Sequence, residues 1–481
     1  MKHFFAALLL PVSAIAADPL LDLTVVTSAM KKAVGFYSSK LAVHGGYASS
    51  WKKDLSAGKS EHEESKTITS IQPPGTTSVG LTMLKAYQAT GDETCLKAAR
   101  AAAHSLVECQ LASGGWSSDF NFDPEKAKKY YLRSDLDWGE REIGKRRNDS
   151  TLDDNKTQSA LLFLLEISHD PACADDAGIK SCTKFALEAL LAAQAPNGGW
   201  PQQFSGPADA TAPVVKASYP AEWSRTWPNI KYTGFYTLND GNLQQVAKVL
   251  ERAYELDHDE RCLAAFKKLG DFFILAQMPE PQPVWAQQYD REMHPVWARK
   301  FEPASVTGYE SIGAMETLHT LWVLTGDEKY LAPIPSALAW FERSKLPDGK
   351  HARFYELQSN KPLYFIAEKY ELTYDDSNIP THYSFTEDQQ DNLDDFNKWR
   401  ALSREEIQRK RAGPTTEKEW TSKAKGVVGK VTKALKAQQA EGYWLNGDEI
   451  DTGEFCKAVN AMVYYIDAAK KGGEEFAKQL K

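Results

Sequence analysis

Two copies of one short pattern, Gln-x-x-x-Gly-Gly-Trp, lie 84 residues apart and begin at Gln110 and Gln194. Each copy lies between two segments whose apolar residues recur at helical spacing. Weaker copies end near Gln277, Ser344 and Gln438. A helical pair that recurs in this way buries its apolar faces only by stacking on its neighbours. The sequence therefore predicts an all-α fold, an (α/α) toroid or barrel, closed or open, with long rim loops.

The length of 481 residues exceeds the usual single-domain size, but a repeat architecture of this kind often runs this long as one unit. We expect residues 17–481 to form a single catalytic toroid, with an acidic, polar wrap at about residues 365–414. The net charge of −8 argues against a broad basic face. We therefore expect no nucleic-acid partner, and we expect a monomer.

The N-terminal sequence MKHFFAALLLPVSAIAADPL combines one early Lys, an apolar run and a small-residue site that ends at Ala16. This pattern predicts a secretory signal peptide over residues 1–16, with a buried N-terminal helix as the alternative. The apolar run is too short to span a bilayer. We therefore expect a secreted or periplasmic protein that has no membrane partner.

Six cysteines are scattered along the chain, and no pair of them has the spacing of zinc ligands. Cys173 and Cys182 are close enough in sequence for a local disulfide in an oxidising compartment. The others are expected to be small core residues on helices. No thiol chemistry is indicated.

The segment Val284–Pro303 is rich in side chains that bind polar rings and lacks helical apolar spacing. It contains two Trp, two Gln, a Tyr, a His and two Arg. Aromatic faces cover sugar rings, amides bond hydroxyl groups, and Arg binds a carboxylate with two parallel hydrogen bonds. The segment therefore predicts a groove for a polar, ring-shaped, charged ligand.

Two acidic pairs precede segments with the pattern of inner helices: STLDDN contains Asp153 and Asp154, and LNDGN contains Asn239 and Asp240. Each pair alone is typical of a helix N-cap. In a helical toroid, however, the inner helices all start at the same end, so their first residues converge on one mouth. Two acidic clusters at that mouth can share a hard cation such as Ca²⁺.

Further candidates come from the segment GGWPQQF and from scattered basic residues. Trp200 either fills the core or faces outward as a platform for a sugar ring, and we favour the rim. Arg299 is flanked by aromatic and acidic residues, so we expect it to be partly desolvated, a state in which Arg must pair or act. The other basic candidates are Lys231, Arg291, Arg353 and Lys361.

These motifs together resemble the pectic acid lyases, the family-ten polysaccharide lyases. The resemblance runs from about residue 45 to 365 and rests on the motifs IQPPGTTSVGLTMLKAYQATGD, CQLASGGW, TLDDNKTQSALL, AQAPNGGWPQQF, TLNDGNLQQV, VWAQQYDREMHPVWARKFEP and ARFYELQSNKPLYF. It implies an (α/α) toroid, in agreement with the repeats. It also implies calcium-dependent cleavage of polygalacturonate, or of a related uronate polysaccharide, by β-elimination.

The resemblance also implies roles for individual residues. Arg299 matches the arginine that is held to be the base, and Asp153 or Asp154 is expected beside the scissile bond or at the ion. Asp240 is the best calcium ligand, with Asn239 beside it. The expected substrate-binding residues are Trp200, Gln202, Gln287, Arg291, Trp297, Arg353 and Lys361. Two departures from the family pattern weaken the calcium and subsite assignments without overturning the class: Lys361 stands where the family usually has Arg, and LNDG lacks the second acid that often follows Asn-Asp.

Two other functions compete with a lyase. A glycoside hydrolase on the same fold would use two carboxylates, for which Glu302, Asp290 and Asp154 are candidates. A non-catalytic protein would bind a uronate polysaccharide without turnover. The product separates the three, because elimination leaves an unsaturated sugar, hydrolysis leaves a new reducing end, and binding leaves the polymer intact.

Overall fold

The computed structural model describes residues 20–480 except 138, 140 and 141. The predicted signal peptide lies outside the described residues. In the described part of the chain, no helix is long and apolar enough to cross a membrane.

Helices account for most of the ordered secondary structure. They are α1 Leu23–Phe36, α2 Thr76–Thr90, α3 Glu93–Glu108, α4 Pro124–Ala127, α5 Arg133–Asp137, α6 Lys156–Ser168, α7 Ala177–Ala192, α8 Asn242–Asp257, α9 Glu260–Ala276, α10 Gly308–Thr325, α11 Ile334–Arg343, α12 Gln390–Arg400, α13 Arg404–Ala412, α14 Glu417–Ala437, α15 Thr452–Lys471 and α16 Gly473–Gln479.

Two layers of helices form the molecule. In the inner layer α15, α2, α6, α8 and α10 pack side by side in that order, and α12 lies against α10. The outer layer packs behind them, with α14 on α15, α3 on α2 and α6, α7 on α6, and α9 on α8 and α10. Within the described residues α12 does not pack extensively on α15, so the ring is open. The predicted (α/α) toroid of helical pairs is confirmed.

Short antiparallel strands tie the rim loops together. The strands are β1 Ser50–Lys52, β2 Gly58–Lys59, β3 Glu64–Ser65, β4 Ile68–Ser70, β5 Asp119–Asn121, β6 Ser150–Thr151, β7 Gln203–Phe204, β8 Tyr236–Thr237, β9 Gln288–Tyr289, β10 His351–Ala352, β11 Phe354–Tyr355, β12 Pro362–Phe365, β13 Leu372–Thr373, β14 Thr386–Glu387, β15 Leu445–Asn446 and β16 Glu449–Asp451. The largest sheet has the order β15-β16-β1-β2-β3. In the pairs β6–β7 and β8–β9, the strand before an inner helix pairs with the loop that follows the next outer helix.

The Trp of the repeat is buried in the core, where it caps the C-terminal end of an outer helix. The indole nitrogens of Trp116, Trp200 and Trp444 donate to main-chain oxygens in the last turns of α3, α7 and α14, at 2.8–2.9 Å. Helix ends leave such carbonyl groups without intrahelical partners, and a buried carbonyl group needs a donor. The Trp of the repeat therefore has a structural role.

The repeated Gln joins neighbouring outer helices. The side-chain amide of Gln110 donates to the main-chain oxygen of Cys182 on α7, and Gln194 donates to Ala265 on α9. The glycine at Gly198 has a φ of +97°, and a Cβ there would lie 2.0 Å from the oxygen of Lys268. Only glycine allows this close approach. The motif therefore encodes stacking of the repeats.

The prediction that Trp200 lies on the rim is wrong, because its side chain is fully buried, with 0% exposure. We expect Trp200→Ala to lower the free energy of unfolding by about 3–5 kcal/mol, since it leaves a cavity and an unpaired carbonyl group. Urea denaturation measures the change. Trp399 on α12 is 37% exposed and is the control, with an expected change below about 1 kcal/mol for Trp399→Ala. Unchanged stability of Trp200→Ala would contradict the structural role.

The structure also bears on the predicted cysteine pair and on the polar segment at 365–414. All six cysteines are free and buried, so Cys173 and Cys182 do not pair. The polar segment at 365–414 forms β13, β14, α12 and α13 besides loops, and its Leu393 and Phe396 are buried. This segment is therefore not only a solvated surface. It packs against α10 and contributes Glu387, which pairs with Arg353 in the site described next.

Candidate active site

Two successive inner helices begin with the same unusual turn. Asp154 before α6 and Asp240 before α8 both have left-handed backbone conformations, with φ values of 48° and 54°. Asp and Asn are among the few residues other than glycine that adopt this conformation readily. The residue two positions before each Asp, Leu152 or Leu238, donates its main-chain N–H to the oxygen of Gln202 or Gln287. The two acidic clusters are therefore equivalent parts of adjacent repeats.

The two turns bring three carboxylates together. Ligand oxygens of Asp153, Asp154 and Asp240 all lie within 4.8 Å of one another. The predicted convergence of inner-helix starts is thus confirmed for this pair of helices. Burial, and then the neighbouring charge of Asp154, raise the pKa of Asp240 to about 6. The carboxylates are therefore crowded, and a cation between them would relieve their repulsion.

The side chains of Gln202 and Gln287 form hydrogen bonds to the two acidic turns and do not face the opening of the toroid. The amide of Gln202 donates to Asp153 Oδ1 at 2.8 Å, and the amide of Gln287 donates to Asn239 Oδ1 at 2.5 Å. Asn239 in turn donates to Asp240 Oδ2 at 2.6 Å. Gln202, Gln287 and Asn239 are buried. The predictions that the glutamines bind substrate directly and that Asn239 binds the metal are therefore corrected, because these side chains are buried and their NH₂ groups donate within the two turns.

Arg299 lies beside this acidic cluster. Its Nη2 is 3.5 Å from Asp240 Oδ2 and 2.9 Å from Glu302 Oε1, and its Nε donates to Glu302 Oε2 at 2.9 Å. Glu302 is almost fully buried, with 1% exposure. Burial by itself would lower the pKa of Arg299, but the Glu302 carboxylate raises it above its ordinary value. Glu302 thus fixes a charged guanidinium opposite the carboxylates.

Arg353 lies deeper in the same region. Its Nη1 donates to Glu387 Oε1 at 2.7 Å, and its guanidinium lies 4.6 Å from the centroid of the Tyr383 ring. Burial would lower the pKa of Arg353, but Glu310, Tyr383 and Glu387 raise it. Burial raises the pKa of Glu310 to about 7. The charge of Arg353 acts on Asp240, and its contact with substrate stays a prediction.

Trp297, Arg291 and Lys361, the other predicted substrate contacts, lie outside the group formed by the carboxylates and Arg299. Trp297 is buried, and its indole donates to the oxygen of Ser224, so its role as an exposed ring is corrected. Arg291 pairs with Asp209 at 2.6 Å beside a pocket of about 460 Å³ that Lys231 also lines. Lys361 is exposed and lies 5.1 Å from the centroid of the Tyr374 ring. Arg291 and Lys361 stay predictions.

The structure adds residues that the sequence did not single out. Lys156, the first residue of α6, is buried among the acids. Tyr309, at the start of α10, is 44% exposed, and the charge of Asp240 acts on its hydroxyl group. Tyr232 lies near Arg299 and Asp153, whose charges act on its hydroxyl group. The sequence signal for Tyr309 is its place two residues after Thr307, as Asp153 and Asn239 stand two residues after Thr151 and Thr237. Each of these Thr residues donates its main-chain N–H to the main-chain oxygen of a Trp.

The three carboxylates fit a hard divalent cation. Carboxylate oxygens are the donors that Ca²⁺ prefers, and these three would supply part of the roughly six to eight oxygen ligands that the ion takes. Burial is the first cause of the raised pKa of Asp240 and the charge of Asp154 is the second, so a cation at the cluster would favour the ionised carboxylate. The cluster can therefore hold a divalent cation beside the Arg299 guanidinium, and the two positive charges together can bind an anionic ligand.

The chain is similar to several solved structures at low sequence identity. A family 10 polysaccharide lyase from Cellvibrio cellulosa, solved as a mutant with trigalacturonic acid, is 19% identical over 66% of this chain and 97% of that chain, with a TM-score of 0.45. A family 76 glycoside hydrolase (mannosidase) from Bacteroides thetaiotaomicron is 10% identical over 93% and 98%, with a TM-score of 0.46. No curated protein matches the sequence.

The family comparison covers just over half of the chain. Residues 125–370 match the pectic acid lyase family. The matched part includes both acidic turns, the segment around Arg299, and Arg353. The chain belongs to the pectic acid lyase family and is a lyase that acts on polysaccharides.

Proposed function

We propose that this enzyme cleaves polygalacturonate by calcium-assisted β-elimination. The observation that carries the proposal is the placement of Arg299 3.5 Å from Asp240, within a cluster of three carboxylates. An anionic sugar binds there only if a cation offsets these acids. We further propose that the protein acts outside the cytoplasm, as its N-terminal sequence predicts.

The reaction transfers the C5 proton of a galacturonate unit to a base and forms a double bond between C4 and C5. The bond between C4 and the glycosidic oxygen breaks, and this oxygen takes up a proton and leaves as a hydroxyl group of the other product. The C5 proton is too weakly acidic unless the adjacent carboxylate is neutralised. Bound Ca²⁺ would supply part of that neutralisation as a Lewis acid. We propose Asp240 and Asp154 as the principal ligands, because they occupy equivalent turns, with Asp153 held beside them by Gln202.

Arg299 is proposed to bind the galacturonate carboxylate and to stabilise the enolate-like anion. Its pairing with Glu302 favours this charged role, because the pair raises its pKa. The assignment of Arg299 as the base, which the family resemblance implies, stays a prediction. Arg353 is proposed to reinforce the positive potential, and the exposed ring of Tyr309 is proposed to contact a sugar face.

The hydrolase alternative finds less support in the site. Glu302 is buried and bound to Arg299 through both carboxylate oxygens. Asp290 accepts the main-chain N–H of His294 and lies 3.3 Å from its ring. These two candidates are thus engaged in structural contacts, and neither is free to act as an acid or a nucleophile.

One assay tests the proposed function. Polygalacturonate should yield an unsaturated product that absorbs in the ultraviolet, and a chelator should stop its formation until Ca²⁺ is restored. A new reducing end without ultraviolet absorbance would establish hydrolysis. Tight oligosaccharide binding without either product would establish a binding protein.

The affinity for Ca²⁺ should depend on pH through Asp240. The pKa of this carboxyl in the metal-free protein is raised to about 6, so below that pH a bound ion must displace a proton. We expect the dissociation constant to rise about tenfold between pH 7 and pH 5. Calorimetry in buffers with different ionisation enthalpies measures both the affinity and the released proton. A pH-independent affinity over this range would remove Asp240 from the ligand set.

A further inference from the structure

Lys156 is a buried cation in the middle of the acidic cluster. Its ammonium nitrogen lies 3.4 Å from a carboxylate oxygen of each of Glu61, Asp153 and Asp154. Its side chain is 2% exposed, so it is shielded from substrate. A buried ammonium group with three carboxylates at this distance is paired and stays charged. The ammonium group is therefore a fixed positive charge within the site.

The fold alone does not explain this charge. Asn242 occupies the equivalent position in the next repeat, as the first residue of α8 directly after the turn of Asp240. That turn and that helix form with a neutral residue. A cation in the first turn of a helix is also unfavourable with respect to the helix dipole. The lysine is therefore explained by its three acidic neighbours rather than by the helix it begins.

We propose that Lys156 is an internal counter-cation that holds the acidic cluster together without a metal ion and weakens the binding of a divalent ion to it. As far as it concerns the ion, this inference rests on the proposed calcium site. Lys156 offsets the repulsion among Glu61, Asp153 and Asp154, and the last two of these acids lie within 4.8 Å of Asp240. A divalent ion relieves less repulsion when this ammonium group is present, and it is also repelled by it directly.

Two substitutions separate charge from shape. Lys156→Met removes the charge and keeps the long side chain, whereas Lys156→Arg keeps the charge. We expect Lys156→Met to bind Ca²⁺ at least about tenfold more tightly than the unmodified protein, and Lys156→Arg to stay within about threefold. Calorimetric titration with CaCl₂ measures the affinities, and circular dichroism confirms the fold.

Stability gives a second measurement that does not depend on activity. In a chelator, Lys156→Met should melt at a lower temperature than the unmodified protein, because the four carboxylates then repel one another. Saturating Ca²⁺ should close most of this difference, since tighter binding to the folded state stabilises it more. Lys156→Arg should melt close to the unmodified protein under both conditions.

The outcomes distinguish this inference from the proposed function. Equal or weaker Ca²⁺ binding by folded Lys156→Met would overturn the inference, as would an equal gain in affinity for Lys156→Arg. If the unmodified protein neither binds Ca²⁺ nor forms unsaturated product, the proposed function fails. In that case a gain of Ca²⁺ binding in Lys156→Met would still support the lysine as the cation of the cluster, and no gain would overturn it.

Discussion

Arg299→Lys should lower kcat/KM on polygalacturonate by about 100- to 1,000-fold, the cost of losing one well-placed group that stabilises transition-state charge. Lysine keeps the positive charge but not the fork that binds two oxygens at once. It also keeps a cation for the buried Glu302, so the fold should persist. The rate of formation of the unsaturated product measures the loss, and circular dichroism checks the fold.

Arg299→Ala needs a companion variant. Removing the guanidinium leaves Glu302 buried without its cation, which is strongly destabilising. The double variant Arg299→Ala/Glu302→Gln avoids this cost and should be folded and equally inactive. Arg261→Ala is the matched control, because Arg261 forms exposed ion pairs with Glu188 and Asp259 on the outer layer. Substantial activity in folded Arg299 variants would place the essential group elsewhere.

The sequence predicts the fold well because the signal repeats. Helical periodicity recurs in every unit, and each copy of Gln-x-x-x-Gly-Gly-Trp marks the same junction, so errors in one copy are corrected by another. The convergence of Asp153, Asp154 and Asp240 follows from the same geometry. These features depend on local pattern and on stacking, which a sequence displays directly.

The direction of individual side chains could not be predicted in this way. Trp200 has an aromatic face that could bind a sugar ring, yet its indole nitrogen donates to a main-chain oxygen of α7 inside the core. Gln202 and Gln287 have the chemistry of substrate contacts, yet they fix the acidic turns. Lys156 stands beside two acids in sequence, but its third neighbour, Glu61, lies far away in the chain. Such partners are set by tertiary packing, which spacing does not reveal.

Asp240→Asn should cause the second large loss of activity. The direction in which its melting temperature moves without Ca²⁺ distinguishes a functional acid from a structural one. The substitution keeps the shape of the side chain and removes one of three carboxylates, so the affinity for Ca²⁺ should fall by about 100-fold, and activity should fall with it. Calorimetry with CaCl₂ and the unsaturated-product assay measure the two losses. Asp395→Asn, at an exposed site on α12, should change neither.

Stability should move in the opposite direction when the metal is absent. Asp240 is crowded by Asp154 and partly buried, and its raised pKa means that ionising it costs free energy in the metal-free fold. At neutral pH, Asp240→Asn should therefore melt at the same or a higher temperature than the unmodified protein in a chelator. The increase in melting temperature at a given Ca²⁺ concentration should be much smaller than in the unmodified protein, as about 100-fold weaker binding requires. A lower melting temperature in chelator, with the response to Ca²⁺ intact, would instead make Asp240 a structural residue and would leave the proposed ion without its central ligand.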